Sequence, residues 1–350
     1  MKVSIFGVIF LLLAISTAAV GALFLLPIAS VLFYFPARPL YLRATCAVSS
    51  TWFALIALYL EVFFGMAIHS NIEEVLSQVP PSANVVVVSN HRTRIDWMIL
   101  WCLFAHTPSL LSNLKIVLKE PLRRIPMFGW AMQHFRFLFL RRDAAVDEKT
   151  IQSVCKRYTT EPVPYTVLLF PEGTDLSESN QKKSAEFAAK NKLPEYRNVL
   201  LPRSTGLFLI AREIGPHVGV LLDVTMGYVD RGSRPSEASL LSGAMPSAVH
   251  FHVKAVNETS ITQLHMAEGT ATWTERAFAA KEGSLEGFYH RDPMNFSPPL
   301  PQVAIPMQKC LAGVVFWAAA SWAMWTAMTA VVPWWGSALW VGGCIVMYVR

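Results

Sequence analysis

A histidine and an aspartate five residues apart, His91 and Asp96, follow a valine-rich run that is typical of a strand. On a continuous helix this spacing would turn the two side chains about 140° apart, so they can meet only across a turn. Thr93 predicts that turn, because Thr93-x-x-Asp96 is similar to a capping box that starts a helix. Asp96 would then accept the Nδ1 proton of His91 and leave Nε2 to act as a general base on a hydroxyl. A helix-capping acid and a surface histidine explain the same spacing.

Two further groups of residues also follow strand-like runs. Glu172, Gly173 and Thr174 come directly after one run, where a glycine permits close backbone approach and a glutamate can orient a polar substrate. A simple turn is the alternative. Arg141 and Arg142 leave the end of another run, where a phosphate could be gripped bidentately. Arginines on a solvated face are the alternative there.

The composition predicts contact with a membrane. Hydrophobic residues make up 53% of the 350 residues and charged residues only 15%, whereas soluble domains carry nearer a quarter. The formal charge is +6, and a basic block between residues 113 and 142 contains a single carboxylate, Glu120. Such a block favours either a phosphate-bearing substrate or anionic lipid headgroups. Its basic residues are Lys115, Lys119, Arg123, Arg124, Arg136, Arg141 and Arg142.

Long apolar runs stand at both ends of the chain. No charge occurs from residue 3 to 35, which exceeds the roughly 20 residues that span a bilayer, and only Glu61 interrupts a second run, 44–68. Their short link predicts a helix hairpin, although a cleaved signal peptide also explains the first run. Glu61 is either functional or placed near the membrane interface. Two uncharged, tryptophan-containing runs follow later, at 311–332 and 334–349.

The middle of the chain alternates strand-length and helix-length segments, which predicts an α/β fold with a mixed, largely parallel sheet flanked by helices. Helices are expected at 95–104, 147–158 and 177–196, and a surface loop at 230–247. The predicted strands are 84–89, 114–118, 135–140, 165–170, 218–224 and 249–256. The predicted domains are a membrane helix hairpin at 1–69, a catalytic domain at 70–307 and C-terminal membrane helices at 308–350.

The cysteines give no sign of a metal site. They are scattered, with no C-x-x-C pair, so neither a zinc site nor a disulfide framework is indicated. We therefore expect reduced thiols and no metal. The residues are Cys46, Cys102, Cys155, Cys310 and Cys344.

Together these groups resemble the glycerophospholipid acyltransferase family, typified by lysophosphatidic acid acyltransferases. The resemblance covers about residues 84–202. Within the family, the motif sequences are most similar to the eukaryotic lysocardiolipin and lysophosphatidylinositol acyltransferase branch. Lys119 and the segment 125–130 also look like the family's region between its first and second blocks. The four ordered blocks are Asn90-His91-x4-Asp96, Phe139-Leu140-Arg141-Arg142, Phe170-Pro171-Glu172-Gly173-Thr174 and Val199-Leu200-Leu201-Pro202.

One block departs from the family pattern. Family members commonly have an acidic residue or a histidine just before the second-block arginine, whereas this chain has Arg141 there and Asp143 after Arg142. The resemblance therefore assigns the phosphate-binding arginine to Arg142, with Arg141 as the alternative.

The resemblance implies an acyl-CoA-dependent lysophospholipid acyltransferase. His91, oriented by Asp96, would deprotonate the acceptor hydroxyl, which attacks the thioester directly; no G-x-S-x-G elbow supplies a serine nucleophile. The acceptor would be bound by Glu172, Gly173 and Thr174, and its phosphate would be bound by Arg142 and Lys119. The expected partners are acyl-CoA as co-substrate, a lysophospholipid and the bilayer, with no other cofactor and no nucleic acid, in the endoplasmic reticulum or another endomembrane. A thioesterase or lipid hydrolase and a non-catalytic lipid-binding protein are the rival classes.

Overall fold

A computed structural model of the protein describes residues 3–229, 234–256, 264–291 and 293–331. The apolar run 334–349 and Cys344 lie outside the described residues.

Seven strands form one sheet in the order β1-β7-β6-β2-β5-β3-β4. Every neighbouring pair is parallel except β6 and β7, which are antiparallel, so the predicted mixed, largely parallel sheet is confirmed. The central strands β2 and β5 are buried along their whole length, which explains their continuous valine and leucine runs. The strands are β1 Ala67–Ser70, β2 Val85–Ser89, β3 Leu114–Lys119, β4 Leu138–Leu140, β5 Thr166–Leu169, β6 Val220–Val229 and β7 Ala248–Val256.

Helices connect the strands and flank both faces of the sheet. They are α1 Ile5–Val20, α2 Leu26–Phe33, α3 Arg38–Leu58, α4 Ile72–Leu76, α5 Asp96–Ala105, α6 Pro108–Ser112, α7 Phe128–His134, α8 Ala144–Thr160, α9 Glu178–Asn191, α10 Ser204–Ile214, α11 Glu237–Ser242, α12 Ala267–Tyr289 and α13 Met307–Thr326. The three helices expected in the middle region are present as α5, α8 and α9.

The sequence prediction was wrong at three places. It did not predict β1. It also predicted that β4 begins at residue 135, whereas the chain first passes through a left-handed turn at Arg136, with φ of 61°, and the strand begins at Leu138. It also placed α11 in a loop. Two reciprocal serine hydrogen bonds, between Ser236 and Ser239, start that helix, and Gly243, with φ of 75°, ends it.

The alternation of side chains along β2 divides the core in two. Val85 and Val87 pack in the cluster that contains α1, α3 and α5, whereas Val86 and Val88 pack against α8, α10 and α12. The N-terminal hairpin therefore covers the same face of the sheet as α5.

Within the described part of the chain, three stretches are long and apolar enough to cross a membrane: Ile5–Phe33, Arg38–Phe63 and Cys310–Thr329. The second is about 39 Å long at 1.5 Å per residue, and it packs on α5 through a stacked pair, Phe53 and Trp101, with ring centroids 4.2 Å apart.

Both ends of the hairpin contact the α/β part of the chain. The backbone N–H of Ser4 donates to the carbonyl of Leu241 at 2.9 Å, and at the turn Arg38 pairs with Glu161 at 2.8 Å. Glu61 is only 6% exposed, and its Oε2 lies 3.6 Å from Nε2 of His106. The glutamate of the second apolar run therefore faces protein.

Candidate active site

The carboxyl ends of four parallel strands bring most of the predicted site residues to one edge of the sheet, where α/β proteins commonly bind ligands. His91 follows β2 and Lys119 ends β3. Arg142 follows β4, and Glu172 and Gly173 follow β5.

The turn between His91 and Asp96 forms as the spacing predicts. The backbone N–H of Asp96 donates to the carbonyl of Thr93 at 3.2 Å, and α5 begins at Asp96. Nδ1 of His91 then lies 2.9 Å from Oδ2 of Asp96. Because a carboxylate only accepts, Nδ1 carries the proton, and Nε2 has its lone pair available for a substrate proton. Among the described residues Nε2 has no hydrogen-bond partner.

Asp96 is held by three donors in addition to the histidine. Oδ2 also accepts the N–H of Thr93 at 2.9 Å, and Oδ1 accepts the Thr93 hydroxyl at 2.8 Å and the Tyr228 hydroxyl at 2.6 Å. The carboxylate is fully buried, so these bonds replace the water that it loses. They also fix the plane in which His91 is oriented.

The sequence prediction missed Tyr228. β6 pairs with β2 up to Val224 opposite Ser89 and then continues, so Tyr228 overhangs the end of β2 on the face that carries α5. Burial, and next the Asp96 carboxylate, raise the pKa of Tyr228 above its ordinary value, which keeps its hydroxyl a donor. No motif marks this residue, and only the pairing of β6 with β2 brings it to Asp96.

Asn90 joins the same two strands. Its side-chain amide donates to the carbonyl of Met226 at 3.1 Å and accepts the N–H of Met226 at 2.8 Å. The asparagine of the first block therefore continues the ladder between β2 and β6 and fixes where His91 begins.

The carboxylate of Glu172 accepts hydrogen bonds from two backbone N–H groups and does not point into an open pocket. Oε1 accepts the N–H of His91 at 2.6 Å and Oε2 accepts the N–H of Leu200 at 2.8 Å. Burial raises the pKa of Glu172, and the two N–H groups oppose that shift. The carboxylate of Glu172 thereby ties the fourth block to the first.

Arg142 reaches the site, whereas no comparable contact is described for the side chain of Arg141. Nη2 of Arg142 donates to the carbonyl of Gly173 at 2.5 Å. The backbone N–H groups of Arg141 and Arg142 both donate to Asp147, at 2.7 and 2.8 Å, and Arg142 has a φ of 66°. The carboxylate of Asp147 thus holds the turn that directs Arg142 to the third block.

Lys119 adds a second cation to this edge. Partial burial, and next Arg142, lower the pKa of Lys119, with Arg94 acting in the same direction and Asp175 opposing it. Thr174 accepts a hydrogen bond from Asn180 at 3.0 Å and donates to Asp175 at 3.3 Å. Its assignment to substrate binding stays a prediction, as does the expected lack of a metal or cofactor.

The chain belongs to the acyltransferase family, whose model, described as Acyltransferase, matches residues 71–226. The predicted family and enzyme class are thereby confirmed. Lysocardiolipin acyltransferase 1 of Danio rerio is 34% identical over 310 residues, which cover 88% of this chain and 77% of that protein. Lysophosphatidylinositol acyltransferase 10 of Caenorhabditis elegans is 34% identical over 251 residues, covering 70% of this chain and 62% of that protein.

Two further similarities extend the comparison. The probable 1-acyl-sn-glycerol-3-phosphate acyltransferase 5 of Arabidopsis thaliana is 36% identical over 212 residues, covering 61% of this chain and 55% of that protein. The crystal structure of the 1-acyl-sn-glycerophosphate acyltransferase PlsC from Thermotoga maritima aligns with a TM-score of 0.47 and 15% identity, covering 82% of this chain and 99% of that chain.

Proposed function

We propose that the protein transfers a fatty acyl group from acyl-CoA to the free hydroxyl of a lysophospholipid at a membrane. The observation that carries the proposal is the 2.9 Å contact between Nδ1 of His91 and Asp96, with Nε2 unpartnered among the described residues at the edge where Lys119 and Arg142 stand. A neutral, oriented imidazole beside cations suits the deprotonation of a hydroxyl on a phosphate-bearing molecule.

The transfer needs one proton acceptor and no covalent acyl-enzyme. The acceptor hydroxyl gives its proton to Nε2 of His91 while its oxygen bonds to the thioester carbonyl carbon. The carbon–sulfur bond then breaks, and the CoA thiolate takes the proton from the imidazolium. Asp96 keeps the tautomer and stabilises the imidazolium between the two transfers.

Lys119 and Arg142 would hold the phosphate of the acceptor. A guanidinium presents two parallel N–H donors to a phosphate, and a nearby ammonium adds charge. The partial burial of Lys119 strengthens its interaction with an anion, because less water competes for it.

The acyl chains would stay in an apolar environment. An apolar cavity lies where the hairpin, α7 and α13 meet α5, and its lining includes Trp52, Trp101, Phe128, Phe135 and Trp317. Trp97, the residue after Asp96, contacts Trp101 with ring centroids 4.8 Å apart. These neighbouring aromatic rings support a path along which a fatty acyl group could extend from His91 and Asp96 to the apolar helices.

The names of the relatives support three acceptors, namely lysophosphatidate, lysophosphatidylinositol and monolysocardiolipin. The three apolar helices that are long enough to cross a bilayer support a location in a membrane, which we propose to be the endoplasmic reticulum or another endomembrane. The test is to assay purified protein with labelled oleoyl-CoA against each of these acceptors, with His91→Ala as the blank. Transfer of label to an acceptor supports the proposal. Release of free oleate that does not depend on an acceptor would instead identify a hydrolase.

A further inference from the structure

A second arginine, Arg203, lies beside the turn that Arg142 contacts. Its backbone N–H donates to the carbonyl of Pro171 at 2.8 Å, three residues after Leu200 is bound by Glu172. The segment from Leu200 to Arg203 is therefore fixed along the third block by its backbone, so the position of Arg203 does not depend on its own side chain.

The side chains of the two arginines both approach Gly173. Cδ of Arg203 lies 4.0 Å from the position that a Cβ on Gly173 would occupy, whereas Arg142 donates to the carbonyl of Gly173. Gly173 has a φ of 71°, which an L side chain rarely adopts, so the backbone between the two arginines stays uncovered.

The charge of Arg203 is not neutralised by the surrounding protein. Across the described ranges no carboxylate lies within 4.0 Å of Arg203, Arg142 or Lys119. Arg212, on the next turns of α10, contrasts with them, because it pairs with Glu148 at 2.9 Å and Glu213 at 3.0 Å.

The start of α10 adds to this positive charge. Arg203 is the N-cap residue of that 11-residue helix, whose first turn contains no acidic side chain. The N-terminal end of a helix carries a partial positive charge, so an anion held by Arg203 would also be favoured by the helix.

We propose that Arg203 is a second phosphate-binding residue, which grips the lysophospholipid phosphate together with Arg142 across Gly173. The inference rests on the proposed function and adds a specificity-determining residue to it. Two guanidinium forks can contact more of the phosphate oxygens than one, and each charge-assisted bond orients the glycerol hydroxyl toward His91.

The experiment compares Arg203→Ala and Arg203→Lys with the wild type and with Arg212→Ala, a matched change at an arginine of the same helix that has its own carboxylates. The KM values for oleoyl-CoA and for each acceptor that the wild type uses are measured separately. A bond to a charged group contributes about 1.5–3 kcal/mol, so Arg203→Ala should raise the acceptor KM by roughly 10- to 100-fold. Arg203→Lys should recover part of that loss, and Arg212→Ala should leave KM within about twofold of the wild-type value.

A double-mutant cycle tests whether the two arginines act on one group. If both hold the same phosphate, the effect of Arg203→Ala on acceptor KM should differ when Arg142 is already alanine, since residues that share a partner are not additive. An acceptor KM that Arg203→Ala leaves unchanged overturns the inference, as does a rise confined to oleoyl-CoA, which would assign Arg203 to a phosphate of CoA. Should Arg203→Ala not fold, an unchanged acceptor KM in Arg203→Gln, which keeps a long polar side chain without its charge, still overturns it. A wild type without any transferase activity would instead refute the proposed function.

Discussion

Removing the hydroxyl of Tyr228 should weaken catalysis without weakening substrate binding. In Tyr228→Phe, Oδ1 of Asp96 loses its 2.6 Å bond and retains the bond from Thr93. A hydrogen bond to a charged group contributes about 1.5–3 kcal/mol, and part of that stabilisation reaches the transition state through the orientation of His91. If one third to one half of this free energy is lost from the transition state, kcat should fall roughly 2- to 13-fold, with KM little changed.

The phenol of Tyr228 stays protonated across the range of the assay, because burial raises its pKa further above the neutral range. A lower kcat in Tyr228→Phe would therefore report the lost hydrogen bond to Asp96 and not a titration of the phenol.

The assay is kcat/KM for labelled oleoyl transfer from about pH 5 to pH 9. Tyr165→Phe is the matched control, because Tyr165 is also buried and its hydroxyl has no hydrogen-bond partner among the described residues. A Tyr228→Phe enzyme with the wild-type kcat would refute the positioning role. Equal falls in both phenylalanine variants would indicate a general loss of packing.

Other expected outcomes follow from the same site. His91→Ala should lose about 10²- to 10⁴-fold in kcat, and Asp96→Asn less, as judged on samples matched for membrane insertion and folding; wild-type activity in His91→Ala would exclude the mechanism. Arg142→Ala should raise the KM for the acceptor more than it lowers kcat, and if Arg141→Ala does so instead, the assignment of the phosphate-binding arginine is wrong by one residue. The protein should stay in the pellet on alkaline carbonate washing, and mass spectrometry should find the first apolar run intact; a mature chain that lacks it would disprove retention of the anchor.

Local sequence patterns predicted the contact between His91 and Asp96 well. His91, Thr93 and Asp96 lie within six residues, so a turn and a helix start are enough to bring them together, and both are encoded by short-range hydrogen bonds. The central strands were predictable for a similar reason, since continuous apolar runs indicate strands buried on both faces.

Contacts between distant segments were not predictable in this way. Tyr228 contacts Asp96 only because β6 extends beyond the end of β2 in the sheet. Neither the residue type nor the neighbouring sequence indicates this contact. Glu172 was expected to face the substrate because it lies in a conspicuous motif, yet its two oxygens accept the N–H groups of His91 and Leu200. A carboxylate that supports the backbone and one that contacts a ligand can have the same local sequence, and only the folded positions of the segments after β2 and around Leu200 distinguish them.

The stacking of Phe53 on Trp101 makes the hairpin part of the folded body of the enzyme rather than a tether. Removing the hairpin would expose the face of α5 that packs against it, including the ring of Trp101, which is only 1% exposed in the folded chain. Each 100 Å² of apolar surface so uncovered costs about 2.5 kcal/mol, a large fraction of the total stability of an ordinary domain. A variant that begins after the hairpin should therefore lose stability as well as the two apolar helices.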